Sequence, residues 1–124
     1  MAGERVLIVE DNEKNLKLFR DVLCATGYVT LEAGTGEEAV ELAVSGSPAL
    51  VLMDVQLPGI DGVQTLGLLR SDPRTASIPV LALTAQAMHE DRERFLAAGF
   101  DDYLSKPVDL VELLRTVAEY CSGS

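Results

Sequence analysis

Five polar side chains follow short apolar runs in this sequence of 124 residues, and their types suit metal-assisted phosphoryl chemistry. Glu10 and Asp11 come directly after the first run, Asp54 after a later one, and Thr84 and Lys106 after the last two. Three carboxylates that are brought close together repel one another unless a cation lies between them. An all-oxygen set with room for water suits Mg²⁺, with Mn²⁺ as an alternative, better than zinc or copper. We therefore expect Glu10, Asp11 and Asp54 to be metal ligands.

The same set could bind and transfer a phosphoryl group. Asp54 is the predicted nucleophile, because a bound Mg²⁺ screens the charge of an incoming phosphoryl group and allows an anion to attack an anion. Lys106 can neutralise one phosphoryl oxygen, and the Thr84 hydroxyl can donate to another. Each residue alone has a simpler interpretation, as a helix cap or a surface charge. The five together favour the catalytic interpretation.

Short apolar runs predict the strands that carry these residues. Three continuous aliphatic runs, 6–9, 49–53 and 80–83, are typical of strands buried on both faces of a parallel sheet. Two more polar runs, 28–33 and 102–105, suit the edges of the sheet.

Segments of helical periodicity lie between and after the strands, near residues 14–26, 36–45, 62–71, 87–97 and 108–121. This alternation predicts a single α/β domain over residues 1–124, with a doubly wound, five-stranded parallel sheet. Placing the polar runs at the edges gives the flavodoxin-like (βα)5 fold with strand order 2-1-3-4-5. Ligands in this fold bind at the carboxyl ends of the strands, so the five polar side chains should meet there.

Local spacing marks the start of two helices. Thr35 with Glu38, and Asp109 with Glu112, have the spacing of a capping box. In each pair, the side chain of the first residue can accept a hydrogen bond from a backbone N–H that the helix leaves unpaired.

The sequence resembles the receiver domains of bacterial two-component response regulators from residue 6 to about residue 120. Four motifs carry the resemblance: Val-Leu-Ile-Val-Glu-Asp-Asn at 6–12, Leu-Met-Asp-Val-Gln-Leu-Pro-Gly-Ile-Asp-Gly at 52–62, Leu-Thr-Ala at 83–85 and Tyr-Leu-Ser-Lys-Pro at 103–107. The resemblance implies a protein that takes a phosphoryl group from a sensor histidine kinase or a histidine phosphotransferase. It also implies slow autodephosphorylation and no turnover of external substrates.

The resemblance assigns a role to each site residue. The implied Mg²⁺ ligands are Glu10, Asp11, Asp54 and the backbone carbonyl of Gln56. Asp54 would accept the phosphoryl group, while Thr84 and Lys106 would bind its oxygens. Tyr103 matches the position whose ring moves inward when the threonine turns toward the phosphate. The Lys106–Pro107 peptide bond is expected to be cis, a form common only before proline.

The pattern is similar, more narrowly, to that of stand-alone cell-cycle receivers of the DivK type. The similarity includes Glu-Asp-Asn-Glu at 10–13 and Met-Asp-Val-Gln-Leu-Pro at 53–58. Receiver domains of hybrid histidine kinases share parts of both motifs, so the sequence leaves both contexts open. No recognisable effector follows the last predicted helix, and we expect output by phosphorylation-dependent protein binding at a face formed by helix four, strand five and helix five.

Composition excludes some other functions. The formal net charge is −10, from 20 acidic and 10 basic side chains, which argues against nucleic-acid binding. No apolar run approaches the roughly 18 residues of a membrane span, and the first residues lack the positive charge of a signal peptide. We therefore expect a cytoplasmic protein without membrane contact. Cys24 and Cys121 lack metal-ligand spacing and are expected to be reduced core thiols.

Two rival functions can be weighed against these residues. A phosphohydrolase that forms an aspartyl-phosphate would need an acid two residues after the nucleophile, but Gln56 stands there and an amide cannot shuttle a proton. A receiver-like scaffold that binds partners without phosphorylation would not require an intact set of Asp54, Thr84 and Lys106. Phosphorylation by acetyl phosphate would distinguish a switch from such a scaffold.

Overall fold

The structure, a computed structural model, describes residues 3–57, 59–85 and 89–121, and for residues 89–92 the backbone only. Strands and helices alternate along the chain, as predicted. The strands are β1 Arg5–Val9, β2 Val29–Ala33, β3 Leu50–Asp54, β4 Val80–Thr84 and β5 Asp102–Ser105. The helices are α1 Glu13–Ala25, α2 Gly36–Gly46, α3 Gly62–Ser71, α4 His89–Ala98 and α5 Leu110–Cys121.

Most predicted boundaries agree with the observed ones to about one residue. The exception is α5, which begins at Leu110 rather than residue 108 because Asp109 caps it. The Asp109 carboxylate accepts from the N–H groups of Val111 at 2.9 Å and Glu112 at 3.3 Å. Residues 87–88, predicted as the start of α4, lie outside the described residues. Over the described ranges, every helix is too short or too polar to cross a membrane.

The sheet is entirely parallel, with strand order β2-β1-β3-β4-β5. This confirms the predicted doubly wound, flavodoxin-like arrangement. The central strands β3 and β4 are buried at every residue, whereas β2 and β5 are partly exposed at the edges. Successive strands are thus added to one side of β1 first and then to the other, so the strand order changes direction between β1 and β3. The carboxyl ends of these two strands open onto one crevice.

Helices cover both faces of the sheet. On one side, the α1/α5 face, the sheet packs against Phe19 and Leu23 of α1 and Leu113 of α5. On the other side, the α2/α3/α4 face, a second cluster includes Leu66 of α3 and Phe95 of α4. Each face thus buries its own apolar core.

Side-chain alternation distributes the polar residues between the two faces at the carboxyl edge. Leu52 in β3 belongs to the α1/α5 face, so Asp54, two residues further, projects toward the same face. Ala82 in β4 belongs to the α2/α3/α4 face, so Thr84 projects toward that one. Asp54 and Thr84 therefore leave neighbouring strands in opposite directions.

The prediction of two core thiols is confirmed for Cys121 and wrong for Cys24. Cys121 is buried, whereas Cys24 is exposed. Helix α1 buries Phe19 and Leu23. Because one residue of an α-helix turns the side chain by about 100°, Cys24 points away from that buried stripe. Its sulfur lies 3.6 Å from the hydroxyl of Thr30.

Candidate functional site

Three carboxylates meet where β1 and β3 end. Glu10, Asp11 and Asp54 each offer an oxygen, and these oxygens lie within 4.8 Å of one another. Glu10 is 1% exposed and Asp54 6% exposed, whereas Asp11 is open to water. Carboxylate oxygens at this spacing, with one side open to solvent, fit a small hard cation that keeps some of its water, such as Mg²⁺.

The segment after β1 fixes Glu10. Its N–H donates to the carbonyl of Ala33 at 3.0 Å, which extends the pairing of β1 with β2 by one residue. Asn12 then caps α1 by accepting from the N–H groups of Lys14 and Asn15. The N–H of Asn12 donates to the Glu10 carboxylate at 3.2 Å. Strand pairing and the helix cap together hold Glu10 toward the crevice.

Lys106 reaches two of the carboxylates from the end of β5. Its ammonium donates to Glu10 Oε2 at 3.0 Å and to Asp54 Oδ2 at 2.9 Å. The Lys106 N–H donates to the carbonyl of Thr84 at 2.8 Å, which holds the segment against β4. The Lys106–Pro107 peptide bond is cis. The lysine thus brings a positive charge to both buried carboxylates.

The protonation equilibria of these groups are shifted by burial and by each other. Burial raises the pKa of Glu10, an effect that the hydrogen bond from Lys106 opposes and the proximity of Asp54 reinforces. Burial lowers the pKa of Lys106, but the hydrogen bonds to Asp54 and Glu10 outweigh it, and the pKa lies above the ordinary lysine value. Lys106 is therefore a cation at neutral pH.

The backbone after Asp54 is bound on two sides. Asp54 Oδ1 accepts from the N–H of Gln56 at 3.0 Å. The N–H of Val55 donates to Leu83 of β4 at 3.0 Å, and the carbonyl of Val55 accepts from Gly62 of α3 at 2.9 Å. Gln56, whose carbonyl was predicted as a metal ligand, consequently lies beside the Asp54 carboxylate.

The start of α3 was not identified by sequence analysis as part of this site. Asp61 and Gln64 form a complete capping box, in which Asp61 Oδ1 accepts from the Gln64 N–H at 2.8 Å and Gln64 Oε1 accepts from the Asp61 N–H at 3.0 Å. Gly62 follows the cap and is buried. The available signals were the Asp-x-x-Gln spacing and a glycine where a helix begins.

Thr84 and Tyr103, predicted as switch residues, lie on the same face of the sheet. In the register of β4 and β5, Ala82 pairs with Tyr103 and Thr84 pairs with Ser105. Thr84 is buried, and the half-buried Tyr103 packs against the core of the α2/α3/α4 face. A rearrangement at Thr84 would therefore reach Tyr103 without crossing the sheet.

A groove opens beside Lys106 on the α1/α5 face. It has a volume of about 350 Å³ and is lined by Asn15, Leu18, Phe19, Lys106, Pro107 and Val108. Leu18 of α1 is 44% exposed, so its side chain adds apolar surface at the groove. The groove places apolar surface next to one of the site residues.

The fold and the acidic crevice define a class of signalling domain. Residues 6–118 match the response regulator receiver domain, and the chain belongs to this family. It is a receiver domain of the two-component response regulator type. Members of the family undergo phosphorylation and autodephosphorylation.

Two similar proteins show which members of the family this chain resembles. The chain is 44% identical to the polar-differentiation response regulator DivK of Brucella ovis over 115 residues, or 93% of this chain and 94% of that protein. It is 36% identical, with a TM-score of 0.90, to the receiver domain of a Pseudomonas aeruginosa sensor histidine kinase solved with a magnesium ion in its active site cleft, over 99% of this chain and 100% of that one. The predicted family and the DivK-like pattern are confirmed.

A second similar structure contains a phosphotransfer partner. It is the co-crystal structure of the Saccharomyces cerevisiae histidine phosphotransfer signalling protein Ypd1 and the receiver domain of its downstream response regulator Ssk1. The matching chain has a TM-score of 0.88 and 30% identity, over 98% of this chain and 90% of that one. Receiver domains thus interact with histidine kinases or phosphotransfer proteins.

Proposed function

We propose that Asp54 accepts a phosphoryl group from a phosphohistidine and that the phosphorylated protein signals by binding a partner. The observation that carries this proposal is the position of the Asp54 carboxylate. It lies 2.9 Å from the Lys106 ammonium, and the oxygens of Glu10, Asp11 and Asp54 lie within 4.8 Å of one another. A nucleophile, a fixed cation and two further carboxylates suited to a metal are what phosphoryl transfer between anions requires.

In the proposed reaction, an Asp54 carboxylate oxygen forms a bond to phosphorus while the phosphorus–nitrogen bond of the donor histidine breaks. The electron pair of the broken bond goes to the imidazole, which takes up a proton. The Lys106 ammonium donates to one phosphoryl oxygen, and the Thr84 hydroxyl donates to another. Lys106 and Thr84 approach from opposite faces of the sheet, which suits two oxygens that point in different directions.

The proposed metal is Mg²⁺, or Mn²⁺ in its place, held by Glu10, Asp11, Asp54 and the backbone carbonyl of Gln56. Bound there, the metal screens the negative charge on the phosphoryl group and on the attacking carboxylate. The spacing of the three carboxylates and the exposure of Asp11, which leaves room for water ligands, support this set.

Turnover of external phosphate esters is not part of the proposal. An aspartyl-phosphate hydrolase needs a second acid two residues after the nucleophile, and Gln56 cannot exchange a proton at neutral pH. The protein instead promotes its own phosphorylation and loses the phosphoryl group slowly to water.

The proposed phosphodonor is a sensor histidine kinase or a histidine phosphotransferase. It would dock over the groove beside Lys106, since exposed Leu18 offers apolar contact there and Lys106 itself lines the groove. The acidic net charge of −10 makes nucleic acid an unfavourable partner. No membrane partner is proposed.

The proposed output surface is formed by α4, β5 and α5. Tyr103, half-buried in β5 on the same face as Thr84, would change this surface when it moves. Residues 1–124 would act as one receiver domain, and a cytoplasmic location is part of the proposal.

Intact mass spectrometry after treatment with acetyl phosphate and Mg²⁺ tests the proposed function. We expect a gain of one phosphoryl group in the wild-type protein and none in Asp54→Asn, because the amide is nearly isosteric but is not a nucleophile. Asp72→Asn is the matched control, since Asp72 pairs with exposed Arg74 in another loop and should leave labelling unchanged. Labelling of Asp54→Asn at one equivalent, or no labelling of the wild type, would refute the assignment.

A further inference from the structure

Gly62 lies next to the backbone of Asp54, the proposed phosphoacceptor. It is the first residue of α3, follows the capping residue Asp61 and is buried. Its N–H donates to the carbonyl of Val55 at 2.9 Å, which closes the loop that follows Asp54. The start of α3 is thereby held against the backbone of the residue that follows Asp54, the proposed phosphoacceptor.

The space at Gly62 is too small for any side chain. A Cβ built there would lie 2.6 Å from the carbonyl oxygen of Asp54, 2.8 Å from Val55 Cα and 3.2 Å from the Val55 carbonyl oxygen. All three are backbone atoms, so no change of rotamer relieves the contact. The φ angle of Gly62 is not positive, unlike those of Gly27 and Gly99, so space and not backbone conformation demands glycine here.

The peptide that the Cβ would meet cannot simply retreat. The Val55 N–H is hydrogen-bonded to the carbonyl of Leu83 in β4. The two peptides that flank Val55 are therefore both bound, one to a central strand and the other to the start of α3. A side chain at position 62 must lift α3 or tilt this peptide, and a tilt moves the Asp54 carboxylate together with the Gln56 N–H that it accepts from.

We infer that Gly62 is a positioning residue for the phosphoacceptor. The absence of a side chain lets α3 close on the peptide after Asp54, and this contact sets the direction of the Asp54 carboxylate toward Lys106 and the metal ligands. The inference rests on the proposed role of Asp54. It adds a steric requirement at position 62 to the chemical roles proposed for the side chains of the site.

Two other glycines in helices provide matched controls. At Gly67 in α3 a Cβ would meet nothing within 4 Å, so alanine should be tolerated and favoured by its higher helix propensity. At Gly46, at the end of α2, a Cβ would lie 2.6 Å from Leu31 Cδ1, which is crowded but remote from the acceptor. Gly46→Ala thus reproduces steric crowding without contact with the acceptor backbone.

The experiment compares Gly62→Ala, Gly46→Ala and Gly67→Ala with the wild type. In metal-free protein, the NMR signal of the Gln56 amide should shift in Gly62→Ala only, because its hydrogen bond to Asp54 is disturbed. We expect Gly62→Ala to weaken Mg²⁺ binding, and its labelling by acetyl phosphate at saturating Mg²⁺ to slow, by about tenfold or more each, as misplaced reacting groups do. Gly46→Ala and Gly67→Ala should stay within about twofold of the wild type in both, even if Gly46→Ala melts at a lower temperature.

Unchanged Gln56 shift, Mg²⁺ affinity and labelling in folded Gly62→Ala would overturn the inference, as would equal losses in Gly46→Ala. If Gly62→Ala does not fold in buffer, the same comparison is made in trimethylamine N-oxide, which favours the folded state. A wild-type protein that is not labelled at all would instead refute the proposed function, so the two failures are distinguishable.

Discussion

Lys106 holds two buried carboxylates together in the protein without metal. Its ammonium lies 3.0 Å from Glu10 and 2.9 Å from Asp54, and its side chain is 22% exposed. The two carboxylates would otherwise repel each other strongly, because the effective dielectric constant around buried groups is lower than that of water. The lysine is thus a stabilising counter-charge before any phosphoryl group arrives.

We expect Lys106→Met to lower the free energy of unfolding of the metal-free protein by about 1–3 kcal/mol, because two carboxylates lose a charged hydrogen-bond partner. Mg²⁺ should bind at least as tightly as in the wild type, since the crevice becomes more negative. Thermal melts and calorimetric Mg²⁺ titration measure the two effects. Lys17→Met, which removes an exposed ammonium 3.0 Å from Asp21, is the control. A clear loss of Mg²⁺ affinity in Lys106→Met would contradict the role given to this residue.

The stabilisation by Lys106 should depend on pH in a defined direction. Burial lowers its pKa, but the bonds to Asp54 and Glu10 raise it by more, so the folded pKa lies above the unfolded value of about 10.4. Such a group stabilises the folded state fully below the unfolded pKa, and the stabilisation is lost as the pH rises through the folded pKa. On the alkaline side, the difference in unfolding free energy between wild type and Lys106→Met should therefore persist up to about pH 10 and shrink above it.

At the scale of elements, Arg70 binds the last turn of α3 to the end of α4. Its guanidinium donates to the carbonyls of Ala76, Ile78 and Gly99 and to the carboxylate of Asp101. Asp101 in turn accepts from the N–H of Val80 at 2.8 Å and, through its carbonyl, from the hydroxyl of Tyr120 at 3.2 Å. The turn between α4 and β5 is thereby fixed to α3, β4 and α5.

Arg70→Met should lower the free energy of unfolding by about 2–4 kcal/mol, because it leaves several part-buried acceptors without their donor. The amide of Asp101, which donates to Val80, should also exchange faster with solvent. Denaturant unfolding and hydrogen exchange measure these effects. Arg74→Met is the control, because Arg74 pairs with Asp72 on the surface, where such pairs contribute little. Equal destabilisation by the two substitutions would show that Arg70 does not fix this turn.

The strands were predictable from sequence, whereas the ends of helices were only partly so. Buried parallel strands leave continuous apolar runs, and these located β3 and β4 directly. Thr35 caps α2 as predicted and accepts from the Glu38 N–H at 3.2 Å. The Glu38 carboxylate, however, accepts from Gly34 at 3.3 Å rather than from Thr35. A spacing rule identifies the pair but not which of two adjacent N–H groups the flexible side chain reaches.

The candidate site was predictable in its residue types but not in its supports. Asp54 is the last residue of β3, and Glu10 and Lys106 directly follow β1 and β5, so topology alone brings the three to one edge. The acceptors of Arg70 are mostly backbone carbonyls, which every residue type offers, so no sequence pattern marks them. The requirement at Gly62 likewise depends on how closely a helix approaches a strand end, a tertiary distance that one-dimensional spacing does not encode.

At the scale of the whole molecule, we propose that Thr84 and Tyr103 couple the crevice to the surface of α4 and β5. We expect Thr84→Ala to remain phosphorylatable by acetyl phosphate, since Asp54 and the metal ligands are intact, but to show smaller phosphorylation-induced chemical-shift changes at Tyr103, in α4 and in α5. A conformational change requires contacts that differ between the two states, and the hydroxyl supplies one. Thr84→Ser, which keeps the hydroxyl, should restore the response. Full-size changes in phosphorylated Thr84→Ala would contradict this path.

The opposite directions of Asp54 and Thr84 also have an evolutionary consequence. In the proposed function, a phosphodonor that docks over the groove on the α1/α5 face would contact Leu18 and Lys106, whereas an output partner would contact the surface near Tyr103. The lining of the groove, which comes from α1 and from residues 106–108, includes no residue of the proposed output elements α4, β5 and α5, so the two partners would contact largely different residues. Substitutions that change the phosphodonor therefore need not change the output partner. A receiver of this kind could acquire a new input during evolution while its output is conserved.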